Sequence, residues 1–146
     1  MKKRNYNSAF SKLNIIDIKD SFAFFDDWED KYRFVIDLGK SVPPMRVEDQ
    51  IEANLVRGCQ SQVWLTHTLD DHRHLQLCLD SDAHIVRGLI AIVLAALNDK
   101  APSDVLATDM DTLFEELQLL QHLSPTRGNG LRAMIERVRA VAAATS

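Results

Sequence analysis

The chain has 146 residues, enough for one domain with its own core, and its 46% hydrophobic and 26% charged residues make global disorder unexpected. With 17 basic against 21 acidic side chains the net charge is −4, so no excess of positive charge exists to displace counterions from a nucleic acid. The longest apolar run, Leu89 to Leu97, falls far short of the roughly 20 residues that span a bilayer, and no membrane association is expected.

The basic start, MKKRNYNSAF, turns polar at Asn5, Asn7 and Ser8, where a secretory signal needs an apolar stretch of roughly 7 to 15 residues. A cytoplasmic location is therefore expected, where thiols stay reduced and a Cys59–Cys78 disulfide is not the default. Residues 1 to 20 read as an N-terminal tail with a short helix near Ile15 to Ile18, and residues 21 to 146 as a single domain.

Phe24, Trp28, Tyr32, Val35 and Ile36 or Leu38 share one stripe, which predicts an early helix stopped by Gly39 and by Pro43-Pro44. Residues 45 to 54 are polar with weak periodicity and read as a surface connection to a turn at Gly58-Cys59. QVWLTHTL is rich in β-branched and aromatic residues, DDHR reads as a turn, and in HLQLCLD the residues Leu75, Leu77 and Leu79 alternate with Gln76, Cys78 and Asp80. That pattern predicts an antiparallel hairpin, with NLVR before it as a third strand.

Asp80, Ser81 or Asp82 offers an N-cap to a central buried helix that carries Ile85, Leu89, Ile92, Val93 and Ala96. Two short helices follow, one after Pro102-Ser103-Asp104 and one from Asp111. Ser124-Pro125 then supplies the N-cap and first-position proline of a last helix, in which Leu131, Met134, Ile135, Val138 and Val141 share a face. Gly128 and Gly130 in that helix each cost about 1 kcal/mol relative to alanine, which points to a tight bend or a close backbone approach. Helices, then a small antiparallel sheet of about three strands, then helices define an α+β fold with the sheet covered by helices.

Cys59 is the residue whose setting asks for a chemical explanation. It follows a glycine, which permits unusual dihedrals, and precedes the polar Gln60, Ser61 and Gln62. One reading is an accessible thiol poised to react, with Arg57 two residues upstream as a charge assist; the other is a small hydrophobe closing a gap in the core. Cys78 lies on the strand face opposite the three leucines and reads as filler, although a second thiol is what an oxidised Cys59 would need to be resolved.

The remaining titratable groups give weaker signals. His72-x-His74 falls in the hairpin turn without the cysteine or glutamate spacing of a zinc site, and no histidine stands out as a partner for Cys59. Asp26-Asp27, Asp70-Asp71 and Glu115-Glu116 read as solvated surface. RGNG lacks the lysine and spacing of a phosphate loop. Arg132, Arg137 and Arg139 read as the charged outer face of the last helix.

Taken together, four segments resemble the SufE family of sulfur-acceptor proteins: N-x-V-x-GCQSQVWL from Asn54 to Leu65, LDSDAHIVRGLIA from Leu79 to Ala91, LQHLSPTRGNGLRAMIERVRA from Leu120 to Ala140, and WEDKYRFVIDLGK with its following prolines. The resemblance runs from Phe24 to about Ala144. It implies the α+β architecture shared with IscU-type scaffold proteins. It also implies that Cys59 receives sulfur from the persulfide of a SufS-like cysteine desulfurase, that binding stimulates the desulfurase, and that the sulfur passes to a SufBCD-like iron–sulfur scaffold.

In such a pairing pyridoxal phosphate belongs to the desulfurase, and no cofactor or metal is expected on this chain. Asp82 and Arg127 match family positions. Asp82 reads either as the plain N-cap or as part of the site, and Arg127 either as a surface arginine or as a partner for a carboxylate that orients the Cys59 loop. A resting loop held inward and drawn out by the partner follows from the need to shelter a reactive sulfur. The rivals are a stand-alone thiol-dependent enzyme, a peroxidase or hydrolase using Cys59 as nucleophile, and an interaction module whose cysteine is incidental. A homodimer through the exposed positions of the early helix is compatible with the sequence.

Overall fold

The computed structural model describes residues 14–146, so residues 1 to 13 of the expected tail lie outside the described residues. Among the described residues six helices surround one hairpin: α1 (Ile15–Phe24), α2 (Trp28–Gly39), β1 (Val63–Leu69), β2 (Leu75–Ser81), α3 (His84–Leu97), α4 (Pro102–Ala107), α5 (Met110–Leu117) and α6 (Pro125–Thr145). The expected α+β class is the observed one.

Helix α1 runs across residue 20, the expected end of the tail, because Ile18 and Phe22 are buried against the core. The chain then breaks, and Asp27 restarts a helix by accepting the backbone N–H of Asp30 at 2.9 Å. The single early stripe is thereby split between two helices with different phases. Phe24, expected on the buried stripe, is 80% exposed, while Val35 and Leu38 are buried as expected.

α2 crosses the apolar α3 at very short range. A Cβ on Gly88 would lie 2.2 Å from the Val35 carbonyl oxygen, and one on Gly39 2.8 Å from the Gly88 nitrogen, so glycine at both points is what lets the backbones meet. Gly39 therefore serves the crossing as the last residue of α2, rather than standing beyond its end.

β1 and β2 pair antiparallel, with Val63 opposite Ser81 and Leu69 opposite Leu75. Leu75, Leu77 and Leu79 face the core, as their alternation predicts. The sheet has two strands, not about three. Glu52–Asn54 forms a 3₁₀ turn directly before Leu55, and Gly58 at φ 93° turns the chain away afterwards, so NLVR contributes only an isolated bridge from Leu55 to Trp64. The segment from 45 to 54 is otherwise the irregular connection expected of it, carrying the 3₁₀ turns Val47–Asp49 and Glu52–Asn54.

An ion pair fastens this frame internally. Asp80, 4% exposed, lies 3.1 Å from Arg87 Nη1 and accepts the backbone N–H groups of Met45 and Ser81 at 2.9 and 2.7 Å. Arg87 also donates to the Val42 carbonyl at 2.9 Å, so β2, α3 and the 42–45 connection converge on one carboxylate. No helix among the described residues is long and apolar enough to cross a membrane.

Candidate functional site around Cys59

Residues 57 to 62 leave the hairpin as a loop whose base is closed by the Leu55–Trp64 bridge and by the Val56 N–H donating to the Val63 carbonyl at 2.8 Å. Gly58 sits in the left-handed region, and a Cβ there would approach Ala133 to 3.2 Å. Both the dihedral and the space require glycine before the cysteine.

Cys59 is half-buried, and its Sγ lies 3.5 Å from the Gly130 carbonyl oxygen on α6, a position from which the thiol donates its proton. A Cβ on Gly130 would be 3.5 Å from that sulfur. The close backbone approach inferred from the early glycines of the last helix is thus the docking of the cysteine on α6. Gly128 meets nothing closer than 3.8 Å and has no such role.

Beside the thiol is a cavity of about 40 Å³, several times the roughly 10–15 Å³ that admits one water. Val63, Val86, Leu89, Leu131 and Met134 form its apolar wall; Ser124, Thr126 and Arg127, from the first turn of α6, form its polar rim. Burial pushes the Cys59 thiol above its ordinary pKa, because the anion would lose water on this apolar side. The expected charge assist from Arg57 is not made: that side chain is exposed and lies 3.7 Å from Glu52.

Asp82 and Arg127, the two expected companions of Cys59, are placed differently. Arg127 lines the same cavity, with its backbone N–H capped by Ser124 Oγ at 3.2 Å, and its guanidinium makes no ion pair among the described residues, so the anticipated carboxylate partner is absent there. Asp82 is not the N-cap of α3. The capping position is Ala83, and Asp82 instead accepts the Gln62 N–H at 3.1 Å while its own N–H donates to the Gln62 carbonyl at 3.3 Å. Asp82 thereby clamps the C-terminal leg of the loop, and its side chain faces backwards to the hairpin instead of forwards to the helix it precedes.

That the last helix docks this loop is not legible in the sequence, where Arg137 and Arg139 read as an outer face. Both are partly buried donors to backbone carbonyls, Arg137 to Leu55 at 3.1 Å and Arg139 to Leu106 at 3.0 Å. Cys78 lies in β2 opposite Thr66, and neither cysteine is in a disulfide.

At the far turn of the hairpin, donor atoms of Asp70, His74 and Asp99 lie within 4.8 Å of one another, the spacing of a metal-ligand group. Internal bonds account for the grouping. Asp70 accepts the N–H groups of His74 and His72 at 2.8 and 2.9 Å, and Gln76 Nε2 bridges Asp70 and Asp99 at 3.1 and 2.8 Å. The His74 N–H in first place holds the Asp70 carboxyl below its usual range.

The architecture and the site together define an α+β protein with one thiol on a glycine-hinged loop. Residues 16–142 match the family described as "SufE: Fe-S metabolism associated domain". An uncharacterized SufE-like protein of Rhizobium etli is 50% identical over 125 residues, covering 84% of this chain and 84% of its own length. A second, from Rhizobium meliloti, is 48% identical over 128 residues, covering 86% of this chain and 91% of its own. A hypothetical protein from Thermus thermophilus, known as a solution structure, superposes with a TM-score of 0.72 over 90% of this chain and 94% of its own, and at 18% identity it shows the fold alone. The chain belongs to the SufE family, and its role lies in iron–sulfur metabolism.

Proposed function

We propose that this chain accepts sulfur on Cys59 from the persulfide of a SufS-like cysteine desulfurase, stimulates that enzyme, and passes the sulfur to a SufBCD-like iron–sulfur scaffold in the cytoplasm. The observation that carries the reading is the free thiol on a glycine-hinged loop, docked beside a cavity of about 40 Å³. The family match supplies the metabolic setting.

The chemistry is an exchange at sulfur. The Cys59 thiolate attacks the outer sulfur of the donor's Cys–S–SH; a bond forms from Cys59 Sγ to that sulfur, the donor's S–S bond breaks, and the donor leaves as a thiolate. The proton Cys59 gives up is matched by the one the departing thiolate takes up, and no net oxidation occurs. Delivery to an acceptor thiol repeats the exchange. The pyridoxal phosphate of the pathway belongs to the desulfurase in this reading, and this chain needs no group of its own.

Docked, Cys59 is a neutral thiol facing apolar side chains, a poor nucleophile. The partner therefore has to draw the loop out, where water and the partner's own groups favour the anion. A stand-alone peroxidase or hydrolase is less well served by the site, since it needs the thiolate at rest and no histidine lines the cavity.

Incubation with a cysteine desulfurase and cysteine, followed by intact-protein mass measurement, tests the reading. A gain of one sulfur that reductant removes and that Cys59→Ser abolishes is expected. No gain, or a gain carried by Cys78, would sink it.

A further inference from the structure

We propose that Arg137 is a positioning residue that straps the N-terminal leg of the Cys59 loop to α6 and so sets how often the loop leaves its docked state. The purpose assigned to it rests on the sulfur-acceptor reading; the contact itself does not.

Gly130, Ala133 and Arg137 follow one another at spacings of three and four residues, so they share one face of α6. Each meets an earlier point of the loop. The Gly130 carbonyl receives Cys59 Sγ at 3.5 Å, Ala133 abuts Gly58, and Arg137 Nη1 donates to the Leu55 carbonyl at 3.1 Å. The loop thus lies antiparallel along the helix, held at its tip, its hinge and its base.

The three contacts are unequal. A thiol is a weak donor, and the Ala133 contact is van der Waals only, whereas a guanidinium donating to a partly buried carbonyl is a charge-assisted bond. Arg137 also acts at the point where the loop joins the sheet, since Leu55 bridges Trp64. The opposite leg is held by Asp82 on Gln62. A strap fixed strongly at both ends and weakly in the middle is released at its ends.

Iodoacetamide labelling of the full native chain, with each cysteine followed by peptide mass, reads this directly. Arg137→Ala is expected to raise the Cys59 rate about tenfold to a hundredfold, the effect of losing one charge-assisted bond, and to leave the Cys78 rate unchanged. Arg137→Lys keeps a donor and is expected to give a smaller rise. Arg139→Ala removes a comparable arginine-to-carbonyl bond on the same helix, away from the loop, and is expected to leave Cys59 at its original rate.

An unchanged Cys59 rate in Arg137→Ala, an equal rise at both cysteines, or an equal rise at Cys59 in Arg139→Ala would overturn the proposal. Should Arg137→Ala not fold, the selective rise in Arg137→Lys decides. Labelling requires no desulfurase, so a failed sulfur-uptake experiment beside a selective rise removes the acceptor reading and leaves the strap standing.

Discussion

The thiol of Cys59 loses water to an apolar cavity wall and gains one weak acceptor, the Gly130 carbonyl. Both circumstances favour the protonated form, so its pKa lies above the ordinary thiol value. The sign follows for the docked loop: this contribution to its stability is complete below the ordinary thiol pKa and is lost as pH rises through the raised one. The alkylation rate of Cys59 is therefore expected to climb with pH with a midpoint above that of a cysteine in a short peptide, and urea is expected to bring that midpoint down towards the peptide's. A midpoint below that of a cysteine in a short peptide would contradict the docked geometry. At this scale GCQSQVW singled out Cys59 as a cysteine between glycine and polar residues, but left open whether it reacts or packs, and in the structure it is half-buried against the core. The docking contact was not legible, since Gly130 lies 71 residues away and no local pattern encodes such a distance.

Helix–helix contacts separate glycines that look alike in sequence. At Gly88 an added methyl would overlap the Val35 carbonyl, with 2.2 Å between the atoms, and Gly88→Ala is expected to destabilise by about 1–3 kcal/mol or more in urea unfolding as α2 is forced off α3. At Gly128 the same methyl has ordinary room, 3.8 Å to its nearest neighbours, and Gly128→Ala is expected to stabilise by about 0.5–1 kcal/mol through helix propensity. The periodicity of α3 and α6 was readable because apolar spacing is local. The break at Asp27 was not, because an aspartate that caps a helix and one that merely faces solvent read identically until the backbone is seen. The same ambiguity misplaced Asp82, whose carboxylate found the Gln62 N–H across the hairpin before the helix that follows it.

Across the whole molecule, the buried Asp80–Arg87 pair ties the hairpin, the central helix and the 42–45 connection to one another. Arg87→Met strands the Asp80 carboxylate with backbone donors alone and is expected to cost about 3–5 kcal/mol, whereas adding Asp80→Asn to it recovers part of the loss; a urea double-mutant cycle measures the coupling. The sequence carried a clue in Arg87, a charge set within an otherwise apolar helix, but a clue without an address. Element order, the hairpin and the fold class were legible because each rests on a local signal, while the contacts that assemble the site join residues as far as 82 positions apart. The docked loop also has a consequence for recognition. A partner that engages only the released loop sees its apparent dissociation constant multiplied by the inverse of the released fraction. Each tenfold preference for docking weakens the partner's grip tenfold without altering a single residue it touches. Two family members with identical recognition surfaces would then differ in affinity solely through the strength of their straps, and binding would be tuned from inside the fold.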